Sequence, residues 1–173
     1  TVSHPRRPTS SDAIQAYCLT KNGAAICHPS LFARGQALRD LGGYRERFRY
    51  TEDLDLYLRL GEVGQLGNLD EVLLDYRVHP GMTSTPYNVE QTLAGIRTIE
   101  DACRRRRLKR RRYLAGRLHK ASWQFTDLRR PVVGLGYACR AFWADPLRLR
   151  NATIVLRSLL RGFVWPKRLD AKP

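Results

Sequence analysis

The sequence predicts an α/β first half, with few strands among helices, followed by an all-helical, basic second half. Three observations carry this. Up to residue 86, short apolar runs alternate with segments of helical period. From Val89 onward apolar residues recur three or four apart, as in Val89, Leu93, Ile96 and Ile99. The charge divides at the same place: residues 1–86 hold ten basic and ten acidic side chains, and residues 87–173 hold 21 and six. The whole net charge of +15 therefore belongs to the second half, so the two segments suit different partners.

Residues 1–12 are rich in Pro, Ser and Thr without an apolar period, and the first 16 residues read as a loop or arm. Residues 13–20 alternate weakly, as a short strand or a helix end. Lys21-Asn22-Gly23 is a turn signal, and residues 24–27 read as a short buried strand. His28-Pro29-Ser30 stops that strand, with His28 read as structural. Residues 30–43 form a short helix with Ser30 as N-cap and Gly42-Gly43 as its stop.

Residues 49–64 give the clearest helix. Thr51 caps its start, Glu52, Asp53 and Asp55 lie in the first turn, and Gly61 and Gly64 end it. Leu54 and Leu58 share one face, as do Leu56 and Leu60. Residues 71–79 are β-rich, carrying Val72, Leu73, Leu74 and Val78 before Pro80-Gly81. A polar loop at 82–88 precedes the helices of the second half. These run from Val89, then as a very basic helix or helix pair to Phe125, then over 131–145 and 146–165. The organisation is thus an arm at 1–16, a compact α/β segment at 17–86 and a basic helical tail at 87–173.

Composition removes several classes. No apolar run approaches the roughly 20 residues needed to cross a bilayer. The chain begins at Thr1 with no signal-like apolar segment behind it, so it is expected to be a piece of a longer, cytoplasmic product. Cys18, Cys27, Cys103 and Cys139 form no C-x-x-C pair, and the four His do not join them at zinc spacing.

The chemistry lies in an ordered set of motifs. Gly42-Gly43-Tyr44 precedes Glu52-Asp53 at a helix start. The helix LDLYLRL (54–60) follows, then a strand ending in Tyr76-Arg77-Val78-His79. On local grounds the early carboxylates fit ordinary stabilisation by the helix N-terminus, worth about 0.3–1 kcal/mol, or a general base. Arg77 fits a surface pairing with Asp75 or Glu71, and His79 fits a strand-end hydrogen bond.

In order and spacing this set resembles the C-terminal half of the nucleotide-sugar-binding core of family-2 glycosyltransferases, which have a GT-A fold. The resemblance covers about residues 17–84. It implies an incomplete GT-A-like core and an inverting transfer from a nucleoside-diphosphate sugar to a glycan or lipid-linked hydroxyl acceptor. Asp53 would be the catalytic base and Glu52 would fix the loop or touch the acceptor. Asn22 and Gly23 would close on the donor sugar and Arg77 would meet phosphate charge. His79 would face a divalent metal, Mn or Mg. The family's N-terminal βαβ unit and its Asp-x-Asp motif have no counterpart in residues 1–16, and Asp53-Leu54-Asp55 sits too late to replace that motif. The chain alone is therefore expected to be inactive, with the missing half as a partner. The Q-x-x-R-W signature of processive members is absent, which implies addition of single sugars.

The run CRRRRLKRRR (103–112) places eight cations in ten residues. An anionic membrane, nucleic acid and a plain solvated face compete as its setting. Nucleic acid is the weakest of these, because only Tyr113 adjoins the run and no recognition motif accompanies it. Residues 146–165 mix Arg148, Arg150, Arg157 and Arg161 with apolar residues and end on Phe163 and Trp165, which suits an interfacial helix or core packing.

Overall fold

A computed structural model describes residues 6–21, 25–75, 77, 89–128 and 130–146. Among the described residues there are six α-helices: α1 (Ser11–Thr20), α2 (Gly35–Asp40), α3 (Glu52–Val63), α4 (Val89–Arg105), α5 (Arg111–Asp127) and α6 (Pro131–Ala144). Single 3₁₀ turns lie at His28–Ser30 and Glu46–Phe48. Contacts divide the chain into two compact units, Thr1–Tyr113 and Leu114–Pro173.

The expected α/β, GT-A-like core is not what forms: among the described residues there is no strand and no sheet. A strand exists only through a neighbour that takes up its backbone groups. Residues 71–75 are non-helical and make no backbone hydrogen bond among the described residues. Their apolar side chains face solvent, Val72 at 67% and Leu73 at 64% exposure. At the other expected strand, Ala25 and Ile26 are buried, but in a bend. The Ala25 carbonyl accepts from Asn68 Nδ2 at 2.9 Å rather than from a partner strand. Residues 76, 78 and 79 of the expected 71–79 strand, and residues 147–165 of the expected 146–165 helix, lie outside the described residues.

In the first unit α3 is central, with α1, α2 and α4 packed against it. Ser10 caps α1 by accepting from the Ala13 N–H, so the segment expected to alternate is a helix, and it begins inside the expected arm. Ile14 and Cys18, one turn apart, are fully buried. They share the core with Leu56, Tyr57 and Leu58 of α3 and Ile99 and Ala102 of α4. Gly61 does not end α3. It lies inside the helix, where a Cβ would collide with the Gln15 side chain, and Gln15 Nε2 donates to the Tyr57 carbonyl at 2.9 Å. The missing side chain lets α1 approach this closely.

The helix expected over 30–43 forms only at Gly35–Asp40, without a side-chain cap. Ser30 instead donates to the Cys27 carbonyl at 2.8 Å. Gly42 and Gly43 do end α2, both with positive φ, and the Gly43 N–H donates to the Leu38 carbonyl at 2.9 Å.

A buried charge cluster fixes α3 against this turn and against α4. Asp55 is fully buried and accepts from Arg59 Nε at 2.9 Å and from Arg45 through both Nε and Nη2. Arg59 also donates to the carbonyls of Leu41 and Gly43, at 2.7 and 2.6 Å. Arg45 reaches on to Asp101 of α4 at 2.8 Å. Members of the basic run are drawn in here: Arg105 pairs with Glu62 and Asp101, Arg106 pairs with Glu62 and donates to Gln15 and the Leu58 carbonyl, and the exposed Arg104 lies 4.0 Å from Asp101. The run is therefore not one helix. Arg107, at φ +53, breaks it between α4 and α5.

In the second unit α6 meets α5 through Gly134, where a Cβ would lie 2.9 Å from the Ser122 carbonyl. Phe125 and Tyr137 stack at 5.3 Å.

Candidate functional site

The entry to α3 is built differently from its sequence reading. Thr51 does not cap the helix with its side chain. Its hydroxyl lies 2.8 Å from that of Thr98 on α4, both buried, which ties the start of α3 to its neighbour. Tyr50, immediately before, has φ +74, a left-handed conformation that is costly for a residue with a side chain. Asp53 supplies the polar contact at the helix start instead: its Oδ1 accepts from the Leu54 N–H at 2.7 Å.

Asp53 and Asp55 share one turn but have separate surroundings. Asp55 points into the arginine cluster. Asp53 is half-buried and forms no ion pair with a cationic side chain among the described residues. Burial pushes its carboxyl above the ordinary aspartate range. The Leu54 N–H and the His28 charge pull it down, the neighbouring Glu52 pushes it up, and the net direction is upward.

Around Asp53 lies a short polar chain. Tyr57, four residues along α3, is almost wholly buried, with its hydroxyl 2.8 Å from His28 Nδ1. The other ring nitrogen, Nε2, is 3.2 Å from the hydroxyl of Tyr44, which is half exposed. Burial, and after it the Asp53 charge, pushes the Tyr57 hydroxyl up, so it stays protonated. A neutral imidazole donates through one nitrogen and accepts through the other. The contacts Tyr57–His28–Tyr44 therefore link a buried phenol to a half-exposed one through the imidazole. The side chains together offer a carboxylate with raised basicity, an imidazole within electrostatic reach and two phenol donors.

Of the residues singled out from sequence, Glu52 and Asp53 stand together at the start of α3, with Glu52 exposed. Arg77 is exposed and forms no ion pair with Asp75 or Glu71 among the described residues. Asn22, Gly23 and His79 lie outside the described residues. The metal expectation finds no donor set: among the described residues no three His, Cys, Asp or Glu side chains converge on one point. His28, Tyr44 and Tyr57 were not picked out from sequence as acting residues. The available signal was the four-residue spacing of Asp53 and Tyr57, which places them on one helix face.

Comparison with family models, with curated proteins and with solved structures finds no match to this chain.

Proposed function

We propose that the start of α3 is the acceptor-activating side of a glycosyl-transfer site. Asp53 takes the proton from a hydroxyl of a glycan or lipid-linked acceptor. The freed oxygen attacks the anomeric carbon of a nucleoside-diphosphate sugar, and the carbon–oxygen bond to the diphosphate breaks with inversion. The observation that carries this reading is Asp53 itself, a half-buried carboxylate whose proton affinity is raised by burial. A general base works best with its pKa moved toward the operating pH, and this environment moves it that way. The resemblance of the ordered motifs around Glu52-Asp53 supports the choice of sugar transfer among hydroxyl-directed reactions. The reading does not depend on the family's α/β core, which this chain does not form among its described residues. Cytoplasmic placement belongs to the same proposal, and four free thiols suit a reducing compartment.

The test compares wild type with Asp53→Asn, expressed within the complete open reading frame, for sugar transfer from nucleoside-diphosphate donors to hydroxyl acceptors. Loss of about 10²–10⁴-fold in kcat, with donor KM retained, is the expected result. In the wild type the acid limb of the rate profile falls above the ordinary aspartate value of about 3.9, because Asp53 must be ionised to accept the proton. Unchanged turnover in Asp53→Asn removes the proposal.

A further inference from the structure

Among the described residues of the second unit, α6 is the more apolar helix, and one side of it is exposed. At about 100° per residue, Cys139, Val132, Trp143, Gly136, Arg140 and Val133 fall within an arc of about 120°. All six are exposed, Val132 at 82% and Trp143 at 71%. The opposite side, Gly134, Ala138 and Ala141, is buried. Helices that pack into a protein core put their apolar stripe inside, whereas here valines and a tryptophan occupy the outer arc. The helix carries no acidic residue along its length, and its charges are Arg140 within it and Arg130 at its start.

We infer that this face of α6 docks on an anionic lipid bilayer, lying in the interface rather than crossing it. The helix has 14 residues, about 21 Å of rise, which is too short to span the hydrocarbon core. None of the described helices is long and apolar enough to cross a membrane. An apolar arc with tryptophan near one end and arginines beside it is the composition of a helix that sits at headgroup depth. Charge complementarity selects the occupant. Arg130 and Arg140, at the start of the helix and within its exposed arc, and the balance of residues 114–173, with 12 basic and three acidic side chains, favour a surface of negative charge. A water-soluble apolar partner would gain nothing from those cations. The buried side of α6 is built from small residues, so docking requires no change in its contact with α5.

The experiment uses the full chain and vesicles of phosphatidylcholine, alone or mixed with phosphatidylglycerol. Binding roughly tenfold tighter or more to the mixed vesicles is expected, falling as salt is raised. The double variant Val132→Asp/Trp143→Asp loses this binding by at least about tenfold while its circular dichroism is unchanged, since both side chains are exposed. A second measurement is independent of that variant. With Trp123 and Trp165 replaced by Phe, the remaining Trp143 is quenched by brominated phosphatidylglycerol vesicles. Vesicle binding without quenching of Trp143 overturns the inference, as does equal binding to both vesicle types. So does an apolar-face variant that abolishes self-association or nucleic-acid retention in place of vesicle binding. None of these outcomes bears on Asp53, so this inference and the transfer proposal stand or fall separately.

Discussion

Replacing Asp55 with Ala strips the counter-charge from the most buried part of the arginine cluster. Asp55 is fully buried and accepts three hydrogen bonds, one from Arg59 and two from Arg45. Arg59, at 4% exposure, then keeps only the carbonyls of Leu41 and Gly43, which carry partial rather than full charge. Breaking a buried ion pair by removing one partner destabilises by about 3–5 kcal/mol, because the remaining charge has no water to return to. At about 4–8 °C per kcal/mol for a unit near this size, the melting temperature falls by at least about 12 °C. Asp40→Ala is the control. Asp40 is an exposed carboxylate on α2 that, among the described residues, accepts from Gln36 alone, and its loss amounts to about 0.5 kcal/mol at most. The assay is thermal and urea denaturation followed by circular dichroism at 222 nm. Equal shifts for Asp55→Ala and Asp40→Ala would show that the cluster is not the clamp on α3, and the reasoning would fail.

Acid should loosen the same unit. Burial acts to raise Asp101 and Glu62, but the arginine contacts outweigh it and hold both carboxyls below their ordinary values. Their contribution is therefore complete above about pH 4.5 and is lost as the pH falls through the lowered native values, so the urea midpoint drops in that window. Both groups keep some solvent contact, so the loss is modest, and Glu62→Gln flattens the profile. Gly61→Ala places a methyl group on the Gln15 side chain, and because α1 must shift, a destabilisation of about 1–3 kcal/mol is expected, measured by urea denaturation. Gln15→Ala in the same chain makes room for that methyl and recovers part of the loss.

The helices with a sustained period were legible. The paired leucines, Leu54 with Leu58 and Leu56 with Leu60, marked α3, the segment from Val89 opens α4 where expected, and the segment at 131–145 forms α6 with ends close to their expected places. The strands were misread because a run such as Val72-Leu73-Leu74 records only a taste for pairing, and pairing is non-local. Caps failed for a related reason. The Thr51 and Ser30 hydroxyls suit helix starts, but Thr98 and the Cys27 carbonyl recruit them instead. Gly61 was taken for punctuation, although its role is set by Gln15, 46 positions away in the chain. At the candidate site, the place of Asp53 at the start of α3 was legible from its motif, whereas the neighbourhood of His28 was not, since only folding brings a residue 25 positions earlier beside it.

The inward turn of Arg105 and Arg106 changes what a polyanion would meet. Of the eight cations in the run, those two are already matched to Glu62, leaving Arg104, Arg107, Lys109, Arg110, Arg111 and Arg112 exposed. Each phosphate neutralised releases about one bound counterion, so a plot of log affinity against log salt would have a slope no steeper than about six from this run. Arithmetic on the primary structure alone would forecast eight, and the difference measures how much of the run's charge is spent holding α3 in place.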